Sequence, residues 1–320
     1  MTKRHAWLNW FAVAAVIGCM AFPAMADQPA RQWNPEGLWG LPEPASSYAE
    51  SIDKLFYGIL YLTGIVFVIT ESLLLVFVLK YRAKSGAKSV YTHGNHKVEM
   101  TWTLVTAGTL GIIAIVQKST WDEIKKPENF PTGPDVLHIQ TFAKQFEWNF
   151  RYPNKNGDWG KDDGICLTND LVVPVNRPIV MEQTSRDVIH SFFLPHMRLK
   201  QDVVPGMQIK VWFRPIKTTL EMRKQRPTYK QEGKPDEEWE YEIVCAELCG
   251  IQHSQMRGAL HVVSQEDYDK WFADRSAKQE NMEIPKVWEY WKVKDPKTGE
   301  RQYPERKKEA EGAKEEAKKD

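Results

Sequence analysis

Residues 245–256 read Cys-Ala-Glu-Leu-Cys-Gly-Ile-Gln-His-Ser-Gln-Met. This stretch offers two thiols, an imidazole and a thioether on one short loop. Thiolate and thioether are soft donors and imidazole binds copper well, so the set suits copper. Cys245 and Cys249 can point into one site if the loop curls, and His253 and Met256 can then close around it. Zinc competes for the same residues, although its sites favour a second Cys or His pair and rarely recruit Met. A Cys245–Cys249 disulfide is the metal-free alternative.

A second motif lies upstream. His190 stands in Asp-Val-Ile-His-Ser-Phe-Phe-Leu-Pro, followed by Leu199-Lys200-Gln201-Asp202 and Pro205-Gly206. The two motifs together resemble cytochrome c oxidase subunit II, with its Asp-Val-x-His-Ser string and its Cys-x-Glu-x-Cys-Gly-x-x-His-x-x-Met loop. The resemblance covers roughly Leu55 to Arg275. It implies an N-terminal two-helix transmembrane hairpin followed by an all-β cupredoxin-like domain. It also implies a binuclear copper A (CuA) centre, in which the sulfurs of Cys245 and Cys249 bridge two coppers. His190 and His253 then cap one copper each. Met256 is a weak axial ligand beside His190, and the backbone carbonyl of Glu247 plays that part beside His253. Such a centre carries one electron at a time, with little change in its bonds. The free carboxylate of Glu247 is implied to help hold a magnesium ion shared with subunit I, with Asp202 near the same region. Either is otherwise an ordinary surface carboxylate.

Composition agrees with a membrane-anchored domain. A net charge of +1 over 320 residues is too balanced for a nucleic-acid binder driven by phosphate neutralisation. Of four Cys, Cys19 lies in the leader and Cys166 is left alone, so no disulfide framework is supported. Residues 1–26 read as a secretory signal: Lys3 and Arg4, then an apolar stretch, then Ala24-Met25-Ala26. Val16-Ile17-Gly18-Cys19 resembles a lipobox, but the residues after Cys19 stay apolar and a better cleavage site follows. Residues 27–54 form an extracytoplasmic segment. Residues 55–79 and 100–121 are the two expected membrane helices. Gly108, Gly111 and Ala114 in the second suit close helix packing. The linker 80–99 carries Lys80, Arg82, Lys84, Lys88 and Lys97 and no acid before Glu99, which places it in the cytoplasm. The remainder therefore lies outside, on a bacterial inner membrane.

Residues 135–275 show strand periodicity. Met207, Ile209, Val211 and Phe213 alternate with Gln208, Lys210 and Trp212. Further β-rich stretches lie near Leu137–Phe142, Phe146–Tyr152, Ile179–Gln183 and Tyr241–Val244. Ser264-x-x-Asp267 opens a short helix with Tyr268, Trp271 and Phe272 on one side. Residues 215–240 read as a charged surface insertion. Residues 276–320 form a charged extension, in which Trp288, Tyr290 and Trp291 are set to pack on the domain or a partner. Its last part, 304–320, has six basic and six acidic side chains, as a solvated helix or tail would.

Glu99, in Glu-Met-Thr-Trp-Thr, matches the family's glutamate at the cytoplasmic mouth of a proton channel into subunit I. The alternative is a carboxylate placed favourably at a helix N-terminus. Glu71 lies inside the first membrane helix, where a hydrogen bond to a neighbouring subunit is favoured over proton transfer. His196 and Met197 are read as loop residues and not ligands, and His93 and His96 as solvated. The family's electron-entry Trp is replaced by Phe146 in Gln145-Phe146-Glu147-Trp148, while Trp148 keeps the second, structural position. The departure leaves open whether the donor is cytochrome c or a dedicated membrane-associated protein. The implied partners are subunits I and III. The implied activity is electron entry for oxygen reduction in subunit I, coupled to proton pumping. The alternative is the CuA subunit of a nitric oxide reductase, whose copper motif can be identical. Nitrous oxide reductase, quinol oxidase and a copper store fit less well: the first needs a propeller domain, the second lacks the Cys ligands, and the third favours exposed, exchangeable ones.

Overall fold

The computed structural model describes residues 40–279, apart from 84, 87, 89, 90, 92, 155, 156, 158, 160–163 and 226–238, and adds a two-strand ladder, Val293–Lys294 with Arg301–Gln302. The expectations for residues 1–26, for Trp288, Tyr290 and Trp291, and for 304–320 lie outside the described residues. The chain divides into two units, one containing residues 53–118 and the other containing 33–52 and 119–320.

Two helices dominate the first unit. Helix α1 spans Ala49–Lys80 and α2 spans His96–Lys125, and both are long and apolar enough to cross a membrane. At about 1.5 Å per residue each exceeds a hydrocarbon core of roughly 30 Å. Each outruns its apolar stretch because polar turns extend it: Ala49–Lys54 before the first, Asp122–Lys125 after the second. Asn95 caps α2, its side-chain oxygen accepting from the Val98 N–H at 3.3 Å. The hydroxyls of Thr63, Thr70, Thr101, Thr103 and Thr109 each donate to the carbonyl four residues back. That satisfies a polar group inside lipid without a partner helix.

The second unit is a two-sheet β-sandwich. Its strands are β1 (Leu137–Lys144), β2 (Glu147–Arg151), β3 (Cys166–Thr168), β4 (Asp170–Pro174), β5 (Ile179–Ser185), β6 (His190–Leu194), β7 (Leu199–Val203), β8 (Ile209–Phe213), β9 (Tyr241–Cys245) and β10 (Arg257–Val263). One sheet runs β3-β2-β1-β5-β8 and the other β4-β10-β9-β6-β7. In the first sheet Ile139, Met181 and Val211 share one row by register, and Phe150 faces Thr141 in the next inward row. They join Leu171, Phe192, Ile243 and Leu260 of the second sheet in a single buried cluster. This is the cupredoxin-like arrangement that the sequence implies.

Three features depart from the reading of separate segments. Trp212 sits where strand alternation would expose it, yet it is buried. Its cover is the segment before α1: Tyr48 meets it edge to face and donates its hydroxyl to the Trp212 carbonyl at 2.9 Å. Ser46 bonds the Met197 carbonyl at 2.7 Å, and Glu43 pairs with Lys217. Residues 215–240 are also more than a surface insertion. Helix α3 (Thr219–Gln225) buries Thr219 and Met222, and opens with a reciprocal capping box between Thr218 and Glu221. The Thr219 hydroxyl accepts the Val262 N–H at 2.9 Å, which welds the helix to β10. Finally, helix α4 (Gln265–Gln279) begins at the Ser264 cap, with the Asp267 N–H donating to Ser264 Oγ at 3.1 Å, and continues beyond residue 275.

Candidate metal centre

Strand register gathers the donors. β6 pairs antiparallel with β9, with Phe192 opposite Cys245, so His190 at the start of β6 lies just past the end of β9. The Ala246 N–H continues the ladder to the Ser191 carbonyl at 3.0 Å. β10 returns antiparallel to β9 with Arg257 opposite Val244, which sets Met256 beside Cys245, and the Cys245 N–H donates to the Met256 carbonyl at 3.2 Å. The intervening loop turns at Gly250, with φ of +135°, and holds His253 on a short 3-10 turn.

Six donor atoms interlock at this end of the sandwich. The two Cys sulfurs are 3.8 Å apart and unbridged. Cys245 Sγ lies 3.9 Å from His190 Nδ1 and 3.3 Å from the Glu247 carbonyl oxygen. Cys249 Sγ lies 3.6 Å from His253 Nδ1 and 3.8 Å from Met256 Sδ. His190, both Cys and Met256 are buried, while His253 is half-buried and keeps an edge toward solvent. The ligand atoms of His190, Cys245 and Cys249 all fall within 4.8 Å of one another, a group able to hold a metal ion. Soft sulfur and imidazole donors without a carboxylate fit copper. Each sulfur has its own imidazole and one weak donor. This pairing by sulfur, His190 with Glu247 and His253 with Met256, crosses the pairing by metal that the resemblance implies. A metal pair held by both sulfurs would be compatible with either pairing.

The electrostatics favour metal uptake. Burial opposes a thiolate at Cys245, but hydrogen bonding, from His190 first, brings its pKa down to about 6. Cys249 is pushed up to about 12 by burial and by the Cys245 thiolate beside it. Binding of a metal to both sulfurs would release the thiol proton that burial and the neighbouring thiolate favour on Cys249.

Two residues at this site carried no assigned role in the sequence. Asp187 Oδ1 meets His190 Nε2 at 2.9 Å, on the ring edge opposite Cys245, and Asp187 Oδ2 accepts the Gln145 N–H at 2.7 Å. Gln145 in turn donates its side-chain amide to the Cys249 carbonyl at 2.6 Å. Burial opposes ionisation of Asp187, yet the Gln145 N–H, His190 and the Val188 N–H together hold its carboxyl below the usual range. An acid three residues before a candidate ligand His is the available signal for Asp187. Gln145 had none, since it reaches the site across the fold.

Among the other candidates, Phe146 is half-buried and its ring rests against Gly250. Trp148 is fully buried, so it offers a partner no contact surface; it stands edge-on to His190 with ring centroids 6.1 Å apart. Glu247 is exposed, and so is Asp202, which accepts from Ser191 Oγ at 2.7 Å. Glu99 belongs to the membrane unit, in the first turn of α2 with its carboxylate beside Gly94. His196 and Met197 are buried away from the cluster, with His196 against the rings of Trp239 and Tyr241.

Two family models match the chain: the transmembrane domain of cytochrome c oxidase subunit II over residues 34–117, and the periplasmic domain of the same subunit over residues 137–220. The chain belongs to the cytochrome c oxidase subunit II family. The second match ends where α3 begins, so it includes His190 and stops short of the Cys loop. An alternative cytochrome c oxidase subunit 2 of Bradyrhizobium diazoefficiens is 28% identical over 69% of this chain and 78% of its own length. A probable cytochrome c oxidase subunit 2 of Rickettsia bellii is 27% identical over 86% of this chain and 97% of its own. Among solved structures, the periplasmic domain of subunit II of the cytochrome oxidase of Bradyrhizobium japonicum aligns at 27% identity, covering 47% of this chain and 98% of that one with a TM-score of 0.35. The family makes this chain a subunit of a cytochrome c oxidase, an inner-membrane protein whose β-domain is periplasmic. The relatives are oxidases and do not favour the nitric oxide reductase alternative.

Proposed function

We propose that His190, Cys245, Cys249, His253, Met256 and the Glu247 carbonyl hold a binuclear CuA pair, through which the chain takes single electrons from a periplasmic donor and delivers them to heme in subunit I. The observation that carries this reading is the interlocking of all six donors around one pair of sulfurs, at 3.3–3.9 Å. A four-ligand zinc site would use the two Cys and two His and leave Met256 and the Glu247 carbonyl idle. When bound, the copper pair supplies a one-electron carrier of low reorganisation energy. The protein's part is to fix the ligands and keep water out. Cys245 and His190 are locked by the β6–β9 ladder, and the buried Met256 seals the inner side. Competitive loading with equimolar copper and zinc, read by metal analysis of the purified complex, tests the donor set. Two coppers per chain are expected beyond any copper held by subunit I, and one tightly held zinc in their place contradicts it.

The donor reaches the half-buried His253 edge and Phe146, with Trp148 behind them as an inner ring beside His190. Phe offers less reach than Trp and no N–H, which supports a dedicated or tethered donor over a freely diffusing mitochondrial-type cytochrome c. Stopped-flow reduction by that cytochrome should be slow and should improve in Phe146→Trp; fast reduction of the native protein rules the altered donor out. Glu247 is exposed, as a carboxylate shared with a magnesium ion at the subunit I boundary must be. Glu99 is the proton-channel entry, and subunit III completes the assembly.

A further inference from the structure

We infer that Asp187 and Gln145 are positioning residues for the metal centre: together they brace the His190 loop against the Cys249 loop and tune the electron donation of His190. The inference rests on the copper reading above and extends it to residues that touch no metal.

The brace is a continuous chain of short contacts. Asp187 Oδ1 accepts from His190 Nε2 at 2.9 Å and from the Val188 N–H at 2.7 Å. Its Oδ2 accepts from the Gln145 N–H at 2.7 Å, and the Gln145 side-chain amide closes the chain on the Cys249 carbonyl at 2.6 Å. The β1–β2 turn therefore holds one imidazole ligand and one thiolate ligand that lie 59 positions apart in sequence. Two details show how closely the turn is fitted. A Cβ built on Gly250 would stand 2.8 Å from Gln145 Nε2 and 3.0 Å from Phe146 Cζ. Ser185 Oγ donates to the Val188 carbonyl at 2.5 Å, which fixes the short loop that carries Asp187.

The chemistry follows from the ring. His190 directs Nδ1 to Cys245 and Nε2 to Asp187. With a metal on Nδ1, Nε2 carries the proton and donates it to the carboxylate. An imidazole hydrogen-bonded to a carboxylate is a more basic ligand. It stabilises the more positively charged, oxidised state of the metal pair, so the Asp187 contact lowers the reduction potential. The Gln145 contact acts differently. It neither carries charge nor touches an imidazole, and it anchors the backbone that positions Cys249.

Two substitutions in the assembled oxidase separate the arms. Asp187→Asn keeps the shape and removes the charge. It should raise the reduction potential of the copper centre, change the nitrogen hyperfine coupling assigned to His190, and weaken copper retention by about ten- to a hundredfold. Asp187→Glu should recover part of the potential. Gln145→Met removes only the amide bond; it should speed copper loss to a chelator while leaving the His190 coupling in place. If Asp187→Asn does not accumulate, the Gln145→Met chelation rate decides. Wild-type potential, coupling and retention in both variants would overturn the brace while leaving the copper reading intact. A wild-type protein without a copper pair would remove both.

Discussion

Tyr48 donates its hydroxyl to the carbonyl of Trp212 at 2.9 Å, and the two rings meet edge to face with centroids 5.3 Å apart. The contact ties the last residues before α1 to the outer face of β8. The segment that leads into the membrane is thereby part of the periplasmic domain's own structure. Tyr48→Phe should cost about 1 kcal/mol, the net worth of one hydrogen bond. Tyr48→Ala should cost about 3–5 kcal/mol, as other aromatic-to-alanine changes in cores do. Thermal denaturation of the purified protein measures both, and an unchanged midpoint for Tyr48→Ala would show that the segment is not held there.

His261 on β10 joins strands and insertion by charge. Its Nε2 lies 2.6 Å from Asp170 Oδ1 and its Nδ1 lies 3.3 Å from Glu240 Oε1, while Arg223 pairs with Glu240 at 3.5 Å. Hydrogen bonding to Asp170, with Glu240 adding to it against the effect of burial, raises the His261 pKa. A raised His pKa stabilises the fold fully below the unfolded value of about 6.5. That contribution fades as pH climbs through the higher folded value. Native protein should therefore lose thermal stability over that interval, and His261→Gln should flatten the loss. Parallel melting curves across pH in the two proteins would refute the assignment.

Gly250 combines a φ of +135° with contact distances that leave no room for a methyl group beside Gln145 and Phe146. Gly250→Ala should destabilise the domain by more than about 1 kcal/mol, since the backbone conformation is closed to alanine. It should also weaken copper binding by pushing the β1–β2 turn off the Cys249 loop. Equilibrium denaturation and copper titration read the two effects; a variant as stable as wild type would mean the loop has slack.

Glu99 lies in the membrane unit, in the first turn of α2. If it admits protons to subunit I, Glu99→Ala slows oxygen turnover and leaves the copper spectrum unchanged. Wild-type turnover across pH would return Glu99 to the role of a favourable helix-terminal charge.

Much of the candidate site could be read from the chain because its proposed ligands cluster: Cys245 to Met256 occupy one loop, and His190 stands in a motif of its own. Strands β1, β5, β8 and β9 showed in their apolar patterns. Strand β7 did not, because Leu199-Lys200-Gln201-Asp202-Val203 is an edge strand with two exposed polar side chains. Burial of Trp212 and of Thr219 depends on residues 164 and 43 positions away, Tyr48 and Val262, and local periodicity carries no trace of such contacts. The same holds for Gln145, whose role exists only once β1 and β2 lie against the metal loops. Ligands announce themselves by chemistry; the groups that position them do so only through the fold.

In the proposed copper pair, the two sulfurs that lie 3.8 Å apart would bridge both metals. Electron paramagnetic resonance of the purified oxidase tests it most directly. One unpaired electron coupled equally to two copper nuclei is expected, with Cys249→Ser abolishing that signal because a hydroxyl is too hard a donor to bridge copper. A spectrum with hyperfine coupling to a single copper nucleus, or its survival in Cys249→Ser, would contradict the account.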